Sequence, residues 1–144
     1  MSVSLLRRLH RFARELQEIL ETAAAPDGIT AAEAETLACL VERGPCPIGA
    51  LQRDTGYRPS TLTSILDRLA ARGWIARDLS SRDRRSFVVS LTREGRRVGR
   101  RIEARLDALG RTVARRVPAA AIAALERLPG DARTTRDHEK GARR

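Results

Sequence analysis

The sequence predicts a mainly α-helical fold with one small β-hairpin, in a chain of 144 residues that fits a single domain. Apolar residues recur at helical spacing in several stretches, and Gly and Pro separate those stretches from each other. Two short segments rich in β-forming residues flank a polar run. Since aromatic residues make up only 3% of the chain, the core must be built from Leu, Ile, Val and Ala.

The first helix is predicted over residues 3–22. Apolar residues spaced three and four apart form one stripe on it, and these are Leu5, Leu9, Phe12, Leu16 and Ile19. Pro26 and Gly28 then end the helix. A stripe of this length has to be buried against another apolar surface.

Three shorter helices are predicted next. Thr30 and Glu33 have the spacing of a capping box, which opens a helix that continues to Arg43. A third helix is predicted over 47–54 and a fourth over 59–72, with a tight Gly-containing turn between them.

The second half of the chain is predicted to form the hairpin and two further helices. Strands are expected over 74–79 and 87–91, and Thr92 then caps a helix that extends to about residue 117. Three glycines are expected to weaken this helix, each by roughly 1 kcal/mol relative to Ala: Gly95, Gly99 and Gly110. A short helix follows over 118–128, and residues 131–144 are predicted to be a disordered tail.

Two short helices, a tight turn and a hairpin in this order indicate a winged helix-turn-helix. The fourth helix would be its recognition helix, with an apolar stripe on one face. The opposite face carries hydroxyls and arginines suited to base edges and phosphates, namely Arg58, Ser60, Thr61, Ser64 and Arg68. Asp67 lies at the margin and is assigned to a salt bridge. The alternative is an amphipathic helix whose polar face is only solvated.

The formal net charge is +10, which favours a polyanionic partner. Lys140 is the only lysine, so a genome base composition that favours arginine codons is an alternative explanation of this charge. The charge is nevertheless concentrated beside the predicted recognition helix, because residues 77–101 contain nine arginines and three acidic residues. Arginines on a thin hairpin can enter a narrow minor groove of DNA.

Residues 58–95 resemble the signature stretch of the MarR family of winged helix-turn-helix transcription regulators. Asp83-Arg84-Arg85 followed by Leu91-Thr92 is similar to the D-x-R…L-T wing motif of that family. The resemblance implies that Asp83 braces the wing and that Arg85 enters the minor groove, with DNA contacts also expected from Arg82 and Arg84. Arg58 departs from the pattern, since relatives often place a Ser-like N-cap there.

The resemblance also implies one MarR-type domain over 1–130, with a DNA-binding part at 30–92. Residues 1–24 and 93–130 would be dimerisation helices that interleave across a two-fold axis. The side chains expected at this interface are Leu5, Leu9, Phe12, Leu16, Leu106, Leu109, Val113, Val117, Ile122 and Leu125. The alternative is that the chain ends fold back as an intramolecular cap.

The resemblance implies that the chain would be a sequence-specific DNA-binding repressor, acting as a homodimer on a pseudo-palindromic operator and released by a small anionic or aromatic effector. Two alternatives stay open: a non-specific architectural nucleic-acid-binding protein, and a protein-interaction module that has lost DNA binding. An enzyme is not expected, because the sequence has no paired His/Asp/Glu constellation and no Gly-rich phosphate loop. No cofactor is expected.

The two cysteines lack metal-ligand spacing, so no metal site is predicted. Cys46 is the candidate redox thiol, because it is expected at a helix start, where the thiol pKa is lowered. Cys39 is interpreted as a small core residue. No apolar run reaches the 18 residues of a membrane span, and a cytoplasmic protein without a membrane partner is expected.

Overall fold

The computed structural model describes residues 3–79, 87–115 and 117–127. Within these residues the chain forms helices, a short 3-10 turn (Ala25–Asp27) and a small sheet. The elements in chain order are α1 (Val3–Ala24), α2 (Ala31–Arg43), β1 (Cys46–Pro47), α3 (Ile48–Thr55), α4 (Pro59–Ala71), β2 (Ile75–Leu79), β3 (Phe87–Leu91), α5 (Arg93–Ala114) and α6 (Ala119–Glu126). The predicted fold class is confirmed, with helix ends within three residues of those expected.

The sheet has one strand more than the sequence predicts. Strands β2 and β3 form the expected antiparallel hairpin, in which Ile75 pairs with Leu91. The two-residue strand β1 pairs with the other edge of β3, where Cys46 lies opposite Val89. A strand of two residues is too short to show the alternation of apolar and polar residues by which strands are recognised.

The core lies between α2, α4, α5 and the inner face of the sheet. Leu62 and Leu66 form part of the predicted apolar stripe of α4 and are fully buried. Other large buried side chains include Leu37 and Leu40 of α2, Val89 of β3 and Ile102 of α5. Helix α2 packs along α5, so the predicted DNA-binding part and the C-terminal helix share one core.

Two side-chain caps fix the starts of α2 and α5. The Glu33 amide donates to the Thr30 hydroxyl at 3.2 Å, and the Thr30 amide donates to the Glu33 carboxylate at 2.8 Å. This is the predicted capping box. At α5 the Gly95 amide donates to the Thr92 hydroxyl at 3.0 Å, as the predicted cap requires.

Two glycines of α5 are needed for packing, which corrects the expectation that they only weaken the helix. A Cβ on Gly95 would lie 1.8 Å from the carbonyl oxygen of Trp74, and one on Gly99 would lie 2.6 Å from Cγ2 of Val41. Both glycines therefore let α5 approach neighbouring chain segments closely. Gly110 has open space around it.

The helices at the two ends of the chain carry apolar side chains that this chain does not bury. On α1 these exposed residues are Val3, Leu6, Leu9 and Phe12. Leu109 and Val113 of α5, with Leu16 and Val117, are half-buried. Leu106 is partly buried and packs against the core of its own chain.

Some predictions concern residues outside the description. The side chains of Leu5, Ile122 and Leu125 lie outside the described residues, and so does the whole of 131–144. In the part of the chain that is described, every helix is too short or too polar to cross a membrane.

Candidate nucleic-acid interface

The turn before α4 is fixed against α2. Gly56 ends α3 with a positive φ of 67°, a conformation that glycine adopts without strain. The hydroxyl of the next residue, Tyr57, donates a hydrogen bond to the Glu35 carboxylate on α2. Burial, followed by this hydrogen bond, raises the pKa of Tyr57, so the phenol stays protonated. Helix α4 therefore begins at a defined position on the surface.

The N-terminal end of α4 presents donors to solvent. Arg58 is the N-cap residue and its side chain does not cap the helix, as predicted. Ser60 and Thr61 in the first turn are exposed. The amides of a first helical turn have no acceptor within the helix and carry the positive end of its dipole. Such an end is suited to a phosphate group.

The hydroxyls of α4 are partly used within the helix. Ser64 Oγ donates to the carbonyl of Ser60 at 3.1 Å, and Thr63 Oγ1 donates to the carbonyl of Pro59 at 2.9 Å. Because each hydroxyl has one proton and two lone pairs, both oxygens retain acceptor capacity for an incoming donor. Ser64 is exposed on the predicted recognition face, so it can accept from a base amine.

Arg68 is held by an acidic residue, which the sequence did not reveal. Its Nε donates to the carboxylate of Glu33 at 2.5 Å. The Glu33 side chain is 3% exposed and that of Arg68 is 52% exposed. Burial would raise the pKa of Glu33, but hydrogen bonds from the Thr30 amide and from Arg68 outweigh it and lower that pKa. Arg68 thus anchors α4 to the start of α2, and its orientation is not free.

Asp67 forms an ion pair, as predicted, and the structure shows that its partner is an arginine of the hairpin. Arg77 Nη2 on β2 donates to the Asp67 carboxylate at 2.6 Å. The pair neutralises the negative charge that Asp67 places on α4, and it ties the hairpin to α4. Both effects favour the approach of a polyanion to this side of the molecule.

The tip of the hairpin carries the predicted wing residues, Arg82, Asp83, Arg84 and Arg85, which lie outside the described residues. The structure does define the base of the hairpin. Leu79 and Phe87 are cross-strand neighbours there, and both side chains are exposed.

A second set of charged contacts was missed by sequence reasoning. The Asp27 carboxylate accepts hydrogen bonds from Arg101 and Arg105 of α5. Arg72, just after α4, donates to the carbonyl oxygens of Gly28 at 2.6 Å and Asp27 at 3.5 Å. The partners are separated by 44 to 78 positions in the chain, so no local pattern signals them.

Comparison with known proteins finds similarity to the MarR family. The MarR family model matches residues 29–87. The transcriptional repressor MdtR of Bacillus subtilis is 30% identical over 95 residues, which cover 66% of this chain and 59% of MdtR. The structure of a mutant MarR from E. coli complexed with operator DNA has a TM-score of 0.74 at 25% identity, covering 88% of this chain and 91% of that one. The chain is therefore similar to MarR-family proteins in residues 29–87 and in its fold.

A further MarR-like structure supports the fold alone. BpsR of Bordetella bronchiseptica superposes with a TM-score of 0.75 at 24% identity, covering 86% of this chain and 96% of that one. Its structure was determined to explain how 6-hydroxynicotinic acid regulates its DNA binding.

A cleft of about 740 Å³ lies between α1 and α5. Ile19 and Leu109 contribute apolar surface, and Arg105 contributes a guanidinium. The remaining lining residues are Glu15, Glu18, Thr22, Ala23 and Ala108. The cleft adjoins the charged contacts of Asp27 through Arg105, which lines it and pairs with that carboxylate.

The lowered pKa expected for the Cys46 thiol is not found, because Cys46 does not lie at a helix start. Cys46 is buried in β1, ahead of the N-cap residue of α3, and burial raises the pKa of its thiol. Burial also raises the pKa of Cys39, which packs against the core. A buried thiol with a raised pKa is a poor nucleophile at neutral pH. Among the described residues no group of His, Cys, Asp and Glu is arranged to hold a metal ion.

Proposed function

We propose that this chain is a sequence-specific, DNA-binding transcription regulator that represses as a homodimer on a pseudo-palindromic operator. The observation that carries the proposal is the exposed N-terminal end of α4, which has no side-chain cap and bears hydroxyls, on a helix whose carboxylate, Asp67, is paired with Arg77. MdtR is named a repressor, and the E. coli MarR structure contains operator DNA. The chain acts by binding, without catalysis.

The proposed contacts divide between two DNA grooves. Helix α4 enters the major groove, where Ser60, Thr61 and Ser64 approach base edges or phosphates and Arg58 contacts the backbone or a guanine. Arg68 lies one to two turns further along α4. It contacts DNA through the guanidinium N–H groups that do not bond to Glu33. The wing, with Arg82, Asp83, Arg84 and Arg85, enters the adjacent minor groove.

The proposed dimer covers the exposed apolar side chains of the chain ends. Leu9 and Phe12 of α1 face solvent in one chain, and an apolar stripe on a helix needs a partner surface. A second copy supplies that surface through two-fold symmetry. Two α4 helices would then read half-sites about one helical turn of DNA apart.

The proposed effector is a small anionic or aromatic molecule bound in the cleft between α1 and α5. Ile19 and Leu109 can cover an aromatic ring, and the guanidinium of Arg105 can pair with a carboxylate. The regulation of BpsR by 6-hydroxynicotinic acid supports an effector of this class. Binding would lower the affinity for the operator.

A non-specific architectural protein is the second candidate, favoured by the net charge of +10. The deciding experiment selects tightly bound fragments from genomic DNA and titrates the recovered site at about 50 and 150 mM salt, with random DNA as competitor. A specific regulator keeps a discrete complex at the higher salt. Loss of the complex to competitor, with no enriched sequence, supports the architectural protein instead.

Two arginine variants distinguish a specific DNA contact by the wing from the effect of net charge. Arg85→Ala should weaken operator binding by about 10- to 100-fold. Arg111→Ala removes the same charge from an exposed position on α5 and should change affinity by less than about threefold. Equal losses in both variants would refute a specific role for the wing.

A further inference from the structure

We propose that Asp27 is a positioning residue that couples the dimerisation helix α5 to the recognition helix α4 and so sets the half-site spacing that the dimer accepts. This inference rests on the proposed function for its DNA part. The coupling itself is a property of one chain and can be measured without DNA.

The carboxylate of Asp27 holds α5. Arg101 and Arg105 are four residues apart, so they project from the same face of the helix, and both donate to this carboxylate. The Asp27 side chain is only 7% exposed. A carboxylate removed from water in this way depends on its partners, and loss of its charge releases both arginines.

The backbone of the same residue holds the end of α4. The guanidinium of Arg72 donates to the carbonyl oxygens of Gly28 and Asp27, and it also lies over the ring of Trp74 at 5.1 Å. Gly28 closes the turn with a φ of 65°, and its amide donates to the carbonyl of Ala25 at 2.9 Å. Asp27–Gly28 is therefore a two-residue bridge that contacts both helices.

This bridge is a polar link between the end of α4 and the middle of α5. A second link joins the end of α4 to the start of α5, where the Thr92 hydroxyl donates to the carbonyl of Gly73 at 2.8 Å. Among the described residues, α4 and α5 share no ion pair or side-chain hydrogen bond with each other. Both also pack on α2 through apolar contacts, which constrain distance more than angle, and the Arg68–Glu33 ion pair fixes α4 to the start of α2. The directional bonds of Arg72, Arg101 and Arg105 constrain the angle.

A small change in this angle matters for DNA recognition. Helix α5 has 22 residues and is therefore about 33 Å long. A tilt of about 5° over that length moves the far end by about 3 Å, close to the rise of about 3.4 Å per base pair. Two-fold symmetry applies the same displacement in the partner, so the separation of two α4 helices responds strongly to this angle.

The negative charge of Asp27 maintains its hydrogen bonds with Arg101 and Arg105 at neutral pH. Burial would raise the pKa of Asp27, but the hydrogen bonds and positive charges of Arg105 and Arg101 outweigh it and lower that pKa. Asp27→Asn keeps the size of the side chain and removes the charge. Asp107→Asn is the matched control, because it makes the same change at an exposed position of α5.

The DNA measurement compares the selected operator with versions that have one base pair inserted or deleted between the half-sites. The wild type and Asp107→Asn should lose about 10-fold or more in affinity on either change. Asp27→Asn should lose less than about threefold, because its α4 helices adapt to either spacing. A residue with a purely stabilising role would lower all three affinities equally and leave these ratios unchanged.

The second measurement uses no DNA. Spin labels are attached at the exposed Ala70 of α4 and Ala104 of α5 through a ketone-bearing amino acid, so that native thiols are not labelled. Labelled chain is diluted with unlabelled chain, and electron–electron distances within one chain are recorded. One narrow distance is expected for the wild type and Asp107→Asn, and a broad distribution for Asp27→Asn.

An unchanged distance distribution in folded Asp27→Asn overturns the coupling, and unchanged spacing ratios overturn its role in DNA recognition. If Asp27→Asn does not fold, Arg101→Gln takes its place, since it removes one of the two partners and leaves Arg105 paired. A wild type that selects no operator refutes the proposed function, while the distance measurement still decides whether Asp27 couples the helices.

Discussion

The winged-helix core and the two ends of the chain use the same apolar residues at the same helical spacing, yet only the core buries them. Leu37 of α2 and Leu66 of α4 are 0–1% exposed, whereas Leu9 of α1 is 52% exposed and Phe12 is 41% exposed. Helix α5 belongs to both regions, because Ile102 is buried and the residues beyond Leu106 are half-buried or exposed. Periodicity therefore predicts that a helix face is apolar, but it does not identify the surface that covers the face.

The largest expected effect is a loss of stability at the packed start of α5, which is compared with the exposed far end of the same helix. Gly95→Ala should destabilise the chain by about 3 kcal/mol or more, because the added methyl group meets the Trp74 carbonyl and neither backbone segment can move easily. Urea denaturation followed by circular dichroism measures this. A loss below about 1 kcal/mol would mean that the start of α5 is as loosely packed as its far end.

The next effect tests the chain ends. Replacing Leu9 and Phe12 with Ala should raise the dimer dissociation constant by about 100-fold, roughly 2.7 kcal/mol in total for the four side chains that the dimer loses. The helical content should not change, since neither residue is buried in one chain. Sedimentation equilibrium measures the constant, with Gln17→Ala on the same helix as the control. A wild type that stays monomeric at every concentration would contradict the proposed dimer.

The sequence predicted most of the core, because its signals are local. The capping box of Thr30 and Glu33 lies within four residues, and the apolar stripe of α4 lies within three turns. Asp67 was correctly assigned to an ion pair, because an unpaired carboxylate beside a DNA-binding face would be repelled. In each case a physical requirement of a single helix was enough.

The rest depends on contacts between distant positions, which periodicity does not carry. Glu33 and Arg68 are 35 positions apart, and only the folded chain reveals that they pair. The approach of α5 to Trp74 makes Gly95 necessary, although in the sequence it looks like a poor helix residue. Cys46 was expected at a helix start, but pairing with Val89 draws it into the sheet and buries it.

A smaller effect concerns the attachment of α4 to the core. The pKa of Glu33 is lower in the folded chain than its ordinary value of 4.5, so its charge stabilises the fold above that pH. This stabilisation is lost as the pH falls through the lowered pKa. Glu33→Gln should cost about 1–2 kcal/mol at pH 7, a discounted value because Arg68 is half exposed, and should flatten the loss of stability below pH 4.5.

Thermal unfolding from pH 7 to pH 2.5 measures this dependence. Glu42→Gln is the control, because it changes an exposed carboxyl group on the same helix. If Glu33→Gln shows the same dependence on pH as the wild type, the buried carboxylate does not contribute to acid unfolding.

The smallest expected effect is a gain in stability, and it also concerns α5. Gly110 of α5 is exposed, and no atom lies within 4 Å of the position its Cβ would take. Gly110→Ala should therefore raise the stability by about 0.5–1 kcal/mol, through higher helix propensity and lower entropy of the unfolded chain. Denaturation and sedimentation should be measured on the same samples. If stability rises and the dimer constant is unchanged, one substitution has opposite effects at the two ends of α5 because only Gly95 meets a packed surface. If the dimer is weakened instead, Gly110 lies against the partner, and the far end of α5 is a close-packed surface that two chains complete.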